Sequence, residues 1–215
     1  MSNLTPSGVK KYWHDEQVRL HKGLVAEHGD SIKALGWFDE DKQKQRFMAL
    51  AGAGDLNNKS ILDVGCGYAD LYGYLQSNNI KVRYTGTEYT PEFRETARKK
   101  YGQIKVLDAD ILSPGFKEKF DFVFAAGIFN SRMKDNKAYI QLMLRKMFGL
   151  AREGVAVTFF STYVDFKERR HYHQSPEKIF SFGKSLTPWV DVRHDFMPYE
   201  YALYLYKDRK TVIPA

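Results

Sequence analysis

The sequence contains a single cysteine, Cys66, among its 215 residues. One cysteine cannot form a disulfide within the chain or supply a multi-cysteine metal cluster, which points to a reducing compartment. No apolar run approaches the roughly 20 residues of a membrane-spanning helix. Residues 1–17 also lack the apolar stretch of a secretory signal. We therefore expect a cytoplasmic protein with no membrane span, and we exclude a disulfide scaffold.

Positive charge is in excess but is unevenly distributed. The net charge is +7, yet residues 1–58 carry 8 basic and 8 acidic residues, whereas residues 59–215 carry 25 and 18. The excess lies in three short clusters, at residues 98–100, 167–170 and 207–210. Such clusters are typical of solvated helix ends and loops more than of a nucleic-acid footprint. We therefore do not expect nucleic acid as a partner, and steering of an anionic small substrate is a weaker alternative.

From Ser60 onward, short apolar runs alternate with helical patterns, which is typical of βαβ units and a parallel sheet. The last two of the predicted strands are separated by six residues, so we expect them to pair antiparallel. The length suits one sheet domain, residues 59–215, preceded by a helical cap or lid, residues 1–58. The seven predicted strands are Ile61–Val64, Val82–Thr87, Ile104–Leu107, Phe120–Ala125, Val155–Ser161, Val190–His194 and Tyr201–Lys207.

Three helices have recognisable signals. A proline at the first helical position predicts helix starts after Thr90 and after Ser175, and Gly102 ends the first of these helices. Residues 136–152 carry apolar side chains at helical spacing, and we expect that helix to stop before Gly154.

A glycine-rich turn, Asp63-Val64-Gly65-Cys66-Gly67-Tyr68-Ala69-Asp70, follows the first predicted strand. Such a strand-to-helix turn lets a ligand approach the backbone and offers it free N–H groups. A dinucleotide fingerprint would require its third glycine at position 70, where Asp70 stands instead. Asp63 and Asp70 disfavour a pyrophosphate and suit a ligand with positive sulfonium and amino groups.

Two further acids follow the next strands. Glu88 comes 21 residues after Gly67, at the end of the second predicted strand, where its carboxylate can accept from two ribose hydroxyls. Asp110 follows the third strand and could accept a hydrogen bond from an adenine amino group. Acidic residues at the ends of three successive strands are much stronger evidence for such a ligand than a glycine-rich loop alone.

These motifs resemble those of the class I S-adenosylmethionine (SAM) dependent methyltransferases over about residues 60–207. The turn resembles the family's D-x-G-x-G-x-G loop, Glu88 its ribose-binding acid, and Ala109-Asp110-Ile111 its adenine-side motif. The resemblance implies a doubly wound α/β sheet in the order 3-2-1-4-5-7-6 with strand 7 antiparallel. It also implies SAM as cofactor, S-adenosylhomocysteine as product, and these cofactor-binding residues: Arg46, Asp63, Gly65, Cys66, Gly67, Glu88, Tyr89, Ala109, Asp110, Ile111 and Ala126.

Several of these assignments have alternatives. Arg46 is upstream of the turn, where similar methyltransferases use an arginine for the cofactor carboxylate, but it could equally be a surface arginine. Cys66 is interpreted as structural rather than as a nucleophile. Ala69 replaces the family's third glycine, and we expect it to be tolerated on the condition that its φ is negative. Segment 1–58, with Tyr12, Trp13, Trp37 and Phe38, is predicted to fold over the site as a lid or to pack on the sheet.

The acceptor is expected beyond the carboxyl ends of the strands. The candidate catalytic residues are His194, Asn130 and Tyr163, with His194 beside Asp195 as an oriented base or as a structural histidine. His171 and His173 have no evident third ligand, so no metal site is predicted. The candidate substrate-binding residues are Arg132, His171, His173, Asp195 and Tyr199.

Three functions agree with these patterns. The preferred one is methyl transfer to oxygen or nitrogen of a small polar metabolite, which could be anionic. We expect the enzyme to be a monomer or a homodimer. An RNA or protein methyltransferase that uses the basic clusters is an alternative, although the adenine-methyltransferase signature [DN]-P-P-[YF] is absent after the fourth strand. A non-catalytic SAM-binding or regulatory module is the third.

Overall fold

The computed structural model describes residues 18–37, 39–102 and 104–208. Tyr12, Trp13 and Phe38 of the predicted lid lie outside these ranges, as do residues 209 and 210 of the last basic cluster.

The elements preceding the sheet are helical. Residues 18–28 form a helix, Ile32–Leu35 a 3-10 turn, and Glu40–Ala51 helix α1. Asp39 begins α1 because its carboxylate accepts from the backbone N–H groups of Asp41 and Lys42.

Strands and helices then alternate along the chain. They are β1 (Ser60–Val64), α2 (Asp70–Ser77), β2 (Arg83–Thr87), α3 (Pro91–Tyr101), β3 (Lys105–Leu107), β4 (Phe120–Ala125), α4 (Asn136–Leu150), β5 (Ala151–Phe160), α5 (Pro176–Lys184), β6 (Val190–Met197) and β7 (Glu200–Tyr206).

One seven-stranded sheet contains all of these strands, in the order β3-β2-β1-β4-β5-β7-β6. Strand β7 is antiparallel to both β5 and β6, and the other pairs are parallel. The predicted fold class and strand order are confirmed. The carboxyl ends of β1, β2, β4 and β5 consequently meet at one edge, where the loops that follow them can share a site.

Apolar side chains cover both faces of the sheet. On one face, α4 buries Met143, Leu144 and Met147 against β4, β5 and β7. On the other, Phe47 and Leu50 of α1 pack with α2 and the sheet in a second cluster. Helix α1 therefore belongs to the core that the sheet requires.

Two predicted boundaries are wrong. Strand β5 begins at Ala151, directly after α4, and contains Gly154. A side chain at Gly154 would approach the rings of Phe122 and Tyr206 to 3.2 Å, so this glycine permits close packing within the sheet and does not end an element.

The predicted six-residue connection between the last two strands is also wrong. Strand β6 continues to Met197 and β7 starts at Glu200, so only two residues form the turn. The pairing of β6 with β7 is irregular between Arg193 and Met197. His194 and Asp195 therefore lie within this irregular part of a strand, not in a loop.

Candidate active site

A cavity of about 430 Å³ lies at the carboxyl edge of the parallel strands. Its walls come from the turn after β1, the loops after β2, β3, β4 and β5, and residues from 18–37. The volume is within the range of small-ligand pockets.

The turn between β1 and α2 has a backbone that favours glycine. Gly65 has φ +69° and Gly67 has φ +55°, both in the left-handed region. A Cβ on Gly65 would come within 2.6 Å of Ile128, and one on Gly67 within 2.7 Å of Leu35. Glycine is therefore favoured at both positions by the backbone conformation and by the close packing of Ile128 and Leu35 on the turn.

Ala69 does not have the negative φ that was the condition for its replacing the family's third glycine. Its φ is +59°, immediately before α2, and its side chain is buried. The expectation of a negative φ is wrong, because the chain keeps the conformation that a glycine would adopt here. A non-glycine residue in this region carries a strain of roughly 1–2 kcal/mol.

Asp63 and Asp70 occupy the two ends of the turn. The Tyr84 hydroxyl donates to Asp63 Oδ2 at 2.6 Å, and burial raises the pKa of Asp63 to about 7. Asp70 accepts from Gln43 Nε2 at 3.3 Å and pairs with Lys100. Both carboxyl groups line the cavity, so this end of it suits a ligand with positive charge.

Glu88 faces the turn from the end of β2. One carboxylate oxygen accepts from the Gly67 N–H at 3.1 Å and the other from the Thr90 N–H at 2.8 Å. Thr90 is fully buried, and its hydroxyl has no hydrogen-bond partner among the described residues. Thr90 is the N-cap residue of α3, as the predicted helix start requires, but its side chain makes no cap hydrogen bond to that helix. A carboxylate and a buried, unsatisfied hydroxyl on one cavity wall fit the hydroxyl groups of a ribose.

The remaining predicted cofactor residues divide into two groups. Cys66, Tyr89, Ala109, Ile111 and Ala126 line the cavity. Asp110 does not belong to its lining, and its Oδ1 accepts from the backbone N–H of Leu112 at 2.8 Å. Burial raises the pKa of the Cys66 thiol, which agrees with a structural role.

Arg46 lines the cavity but already has a protein partner. Its Nε donates to Glu200 Oε2 at 2.5 Å, a second guanidinium nitrogen pairs with Glu200 Oε1, and Trp37 lies 4.2 Å above the guanidinium. Both members of the ion pair are buried. Sequence alone does not predict this pair.

Of the residues predicted for the acceptor, three line the cavity: Asn130, Arg132 and His171. The loop around Asn130 and the loop after β5 pair with each other as a short antiparallel bridge, Ser131 with His171. The Tyr172 N–H donates to the Asn130 carbonyl at 2.8 Å, and the Arg132 N–H donates to the Arg170 carbonyl at 2.7 Å.

The other predicted acceptor residues do not line this cavity: Tyr163, His173, His194, Asp195 and Tyr199. The His194 ring lies 5.7 Å from that of Tyr201 and 6.3 Å from that of Tyr163. Asp195 pairs with Arg193, and the Tyr199 hydroxyl donates to Asp165. The structure therefore separates His194 from the site at which it was expected to act as a base.

Among the lining residues that sequence reasoning missed are His21, Phe160 and Arg170. Phe160 ends β5, so its place beyond a parallel strand was a usable signal. His21 is on the helix of residues 18–28, with its ring 5.2 Å from that of Phe93 and a pKa lowered by burial. No motif marks His21.

In the described ranges there is no group of three histidine, cysteine or acidic side chains arranged to hold a metal ion. Within the same ranges, no helix is both long and apolar enough to cross a membrane.

Comparisons with known proteins agree with this geometry. The family model described as a methyltransferase domain matches residues 61–154. A protein of Mycobacterium tuberculosis (strain ATCC 25618 / H37Rv), assigned the name methyltransferase Rv1506c, is 30% identical over 155 residues, which are 69% of this chain and 93% of that protein. The chain belongs to the class I SAM-dependent methyltransferases.

Solved methyltransferase structures share the fold at low identity. The DhpI complex with S-adenosylhomocysteine aligns over 90% of this chain and 96% of that one, with a TM-score of 0.66 and 13% identity. Magnesium protoporphyrin IX methyltransferase from Synechocystis PCC 6803 aligns over 95% and 100%, with a TM-score of 0.62 and 14% identity. The small RNA methyltransferase HEN1 aligns over 80% of this methyltransferase and 26% of its own chain, with a TM-score of 0.61 and 13% identity.

Proposed function

We propose that this methyltransferase transfers the methyl group of SAM to oxygen or nitrogen of a small polar molecule. The observation that carries the proposal is the cavity of about 430 Å³, which is bounded by residues of 18–37 on one side and by the paired loops after β4 and β5 on another. A partly enclosed space of this kind favours a small acceptor over a polymer.

The cofactor is proposed to occupy the end of the cavity nearest the β1–α2 turn. When bound, SAM supplies an electrophilic methyl group on a positively charged sulfur. Glu88 would accept from the ribose hydroxyls, Ala109 and Ile111 would contact the adenine side, and Asp63 would face the positive groups. Asp110 is not part of this proposal, because its carboxylate Oδ1 accepts from the backbone of its own loop.

Residues 18–37 are proposed to cover this end and exclude water. Leu35 packs on the turn at Gly67, and Trp37 approaches a Cβ placed on Gly127 to 3.0 Å. The Tyr68 hydroxyl donates to the Gly29 carbonyl at 3.3 Å, which ties this cover to the turn. Exclusion of water favours methyl transfer to the acceptor over side reactions.

The RNA alternative draws less support from the basic clusters. In the cluster at the end of α3, Arg98 donates to the Val106 carbonyl, Lys99 pairs with Glu95, and Lys100 pairs with Asp70. These cations have local partners, as a solvated helix end does.

Ligand-induced thermal stabilisation tests the cofactor site, and filter retention tests the class of acceptor. S-adenosylhomocysteine at about 100 times its dissociation constant should raise Tm by roughly 5–10 °C, and Glu88→Ala should abolish that shift. NAD is the control and should give no comparable shift. Salt-sensitive retention of RNA on filters would contradict the proposal of a small acceptor.

A further inference from the structure

The two ends of the cavity have opposite charge. Its acidic lining residues, Asp63, Asp70 and Glu88, come from β1, the start of α2 and the end of β2. The opposite end presents Arg132 and Arg170 beside His171, from the loops after β4 and β5. Ion pairs offset several of these charges, since Lys100 pairs with Asp70, Glu168 with Arg170, and Glu200 with Arg46. Among the described residues, Glu88 at the first end and Arg132 at the second have no such partner. An acceptor at the second end therefore meets a positive field.

Arg132 is anchored without being neutralised. Its Nε donates to the Arg169 carbonyl at 2.9 Å, which fixes the side chain against the neighbouring loop. Among the described residues, no carboxylate oxygen lies within ion-pair distance of its guanidinium. Arg170 differs, because its Nε pairs with Glu168 at 2.6 Å. The terminal nitrogens of Arg132 are thus suited to an anionic group on a ligand.

His171 lies between these arginines and an apolar wall. Its ring packs edge-on against Phe160 at 5.0 Å between centroids, and the backbone bridge to Ser131 fixes its position. Burial lowers the pKa of His171, against the opposing effect of Glu168, whose carboxylate lies 3.9 Å from Nδ1. Arg132, Arg170 and His173 are the other charged or titratable groups beside it, and the Arg170 charge also lowers the pKa of His171. The imidazole is consequently neutral and able to accept a proton near pH 7.

We infer that His171 is the general base for an acceptor hydroxyl and that Arg132 binds an anionic group on the same acceptor. In the transfer, the new bond joins the acceptor oxygen to the methyl carbon, and the carbon–sulfur bond breaks with its electron pair remaining on sulfur. The hydroxyl proton passes to His171 and then to solvent. This inference rests on the proposed function and narrows it to O-methylation of a small anionic acceptor.

The apolar wall defines the body of that acceptor. Met133, Tyr139, Met143 and Phe160 all line the cavity. Their side chains suit a flat apolar ring more than an extended polar chain. The three isomeric hydroxybenzoates combine a ring, a hydroxyl and a carboxylate, so they are suitable probes.

The experiment compares each hydroxybenzoate with the corresponding neutral hydroxybenzyl alcohol, by methyl transfer from SAM and by calorimetric binding to the S-adenosylhomocysteine complex. At least one hydroxybenzoate should be methylated and bound roughly tenfold better than its alcohol, and Arg132→Gln should remove that preference. Arg169→Gln is the matched control, because that arginine is outside the cavity lining and only its backbone carbonyl contacts Arg132; it should keep the preference.

His171→Gln should lower kcat by about 10²-fold and flatten the acidic limb of the pH–rate profile, with S-adenosylhomocysteine affinity unchanged. Loss of the acidic limb in His173→Gln instead, with His171→Gln active, would overturn the assignment. If the protein binds S-adenosylhomocysteine but neither binds nor methylates any hydroxybenzoate, the inference fails while the proposed function stands. If S-adenosylhomocysteine itself does not bind, the proposed function fails first.

Discussion

Arg46 and Glu200 form a buried ion pair between residues 154 positions apart in the sequence. Arg46 lies on α1 and Glu200 is the first residue of β7, so the pair fastens the helix before the sheet to its last strand. Arg46 also forms part of the cavity wall, with its guanidinium against the Trp37 ring. One contact thereby connects the stability of the fold with the shape of the site.

Removal of the carboxylate from this pair should strongly destabilise the protein. Glu200→Gln leaves the Arg46 charge buried without its counter-ion, and we expect the free energy of unfolding to fall by about 3–5 kcal/mol. Urea denaturation measures the change. Glu153→Gln is the control, since its partner Lys59 and Glu153 itself are only half-buried, and it should cost less than about 1 kcal/mol. If both variants lose the same small amount of unfolding free energy, the Arg46–Glu200 pair stabilises the protein no more than an exposed ion pair does.

Arg46 should contribute to binding the amino-acid end of the cofactor. Glu200 occupies its Nε and one terminal nitrogen, and the other terminal nitrogen has no hydrogen-bond partner in the described part of the chain. Arg46→Lys keeps a charge opposite Glu200 but loses this second arm, so affinity for S-adenosylhomocysteine should fall roughly tenfold. Methylthioadenosine, which lacks the amino-acid end, should bind unchanged by calorimetry. Equal weakening of both ligands would contradict the role.

Ala69 should tolerate glycine far better than an ordinary buried alanine does. Relief of roughly 1–2 kcal/mol of strain is offset by a lost methyl group of about 0.8 kcal/mol and by added chain entropy. Ala69→Gly should therefore change the free energy of unfolding by less than about 1 kcal/mol.

Ala97 supplies the comparison for this substitution. It is equally buried but lies in the middle of α3, so Ala97→Gly should cost about 1.5–2 kcal/mol in helix propensity and packing. Chemical denaturation of both variants measures the difference. A loss at Ala69 as large as that at Ala97 would show that the positive φ carries no strain.

Asp63 should make stability depend on pH between its unfolded and folded pKa values. The pKa rises from an ordinary 3.8 to about 7 on burial, so the folded state binds more protons within that window. Its contribution is fully present below pH 3.8 and declines by up to about 1.4 kcal/mol per pH unit as pH rises toward 7. Asp63→Asn should remove this slope, measured as the wild-type minus variant difference in unfolding free energy.

A second variant separates burial from hydrogen bonding at Asp63. The Tyr84 hydroxyl bond favours the charged carboxylate, so Tyr84→Phe should extend the same decline to higher pH. A difference between wild type and Asp63→Asn that stays constant from pH 4.5 to 8 would refute the shifted pKa.

Local signals in the chain predicted much of the fold and the cofactor end of the site. The useful signals were short apolar runs that alternate with helical patterns, the glycines at 65 and 67, and Glu88 after β2. Each depends on only a few neighbouring residues, which are enough to set the backbone conformation and the end of a strand. The parallel sheet then brings those strand ends together whatever the loops do. Five further predicted cofactor residues, Cys66, Tyr89, Ala109, Ile111 and Ala126, consequently line the cavity.

Tertiary structure decided which residues lie at the acceptor end of the cavity and which distant residues form ion pairs. His171 and His194 have similar local sequence, each beside charged or aromatic residues, but only the bridge between the loops after β4 and β5 places His171 at the cavity. Glu200 reaches Arg46 through the pairing of β5 with β7, a contact of high sequence separation that no local pattern encodes.

The sequence by itself determined the glycine-rich turn and the place of the single cysteine within it, and the resemblance of its motifs to a known family implied the strand order. The structure alone decided that Ala69 adopts a positive φ, that Asp110 holds the backbone of its own loop, and which histidine faces the ligand. The physical reason is range: propensity and turn chemistry act between neighbours. Ion pairs, loop pairing and cavity walls depend on residues that meet only after the sheet has formed.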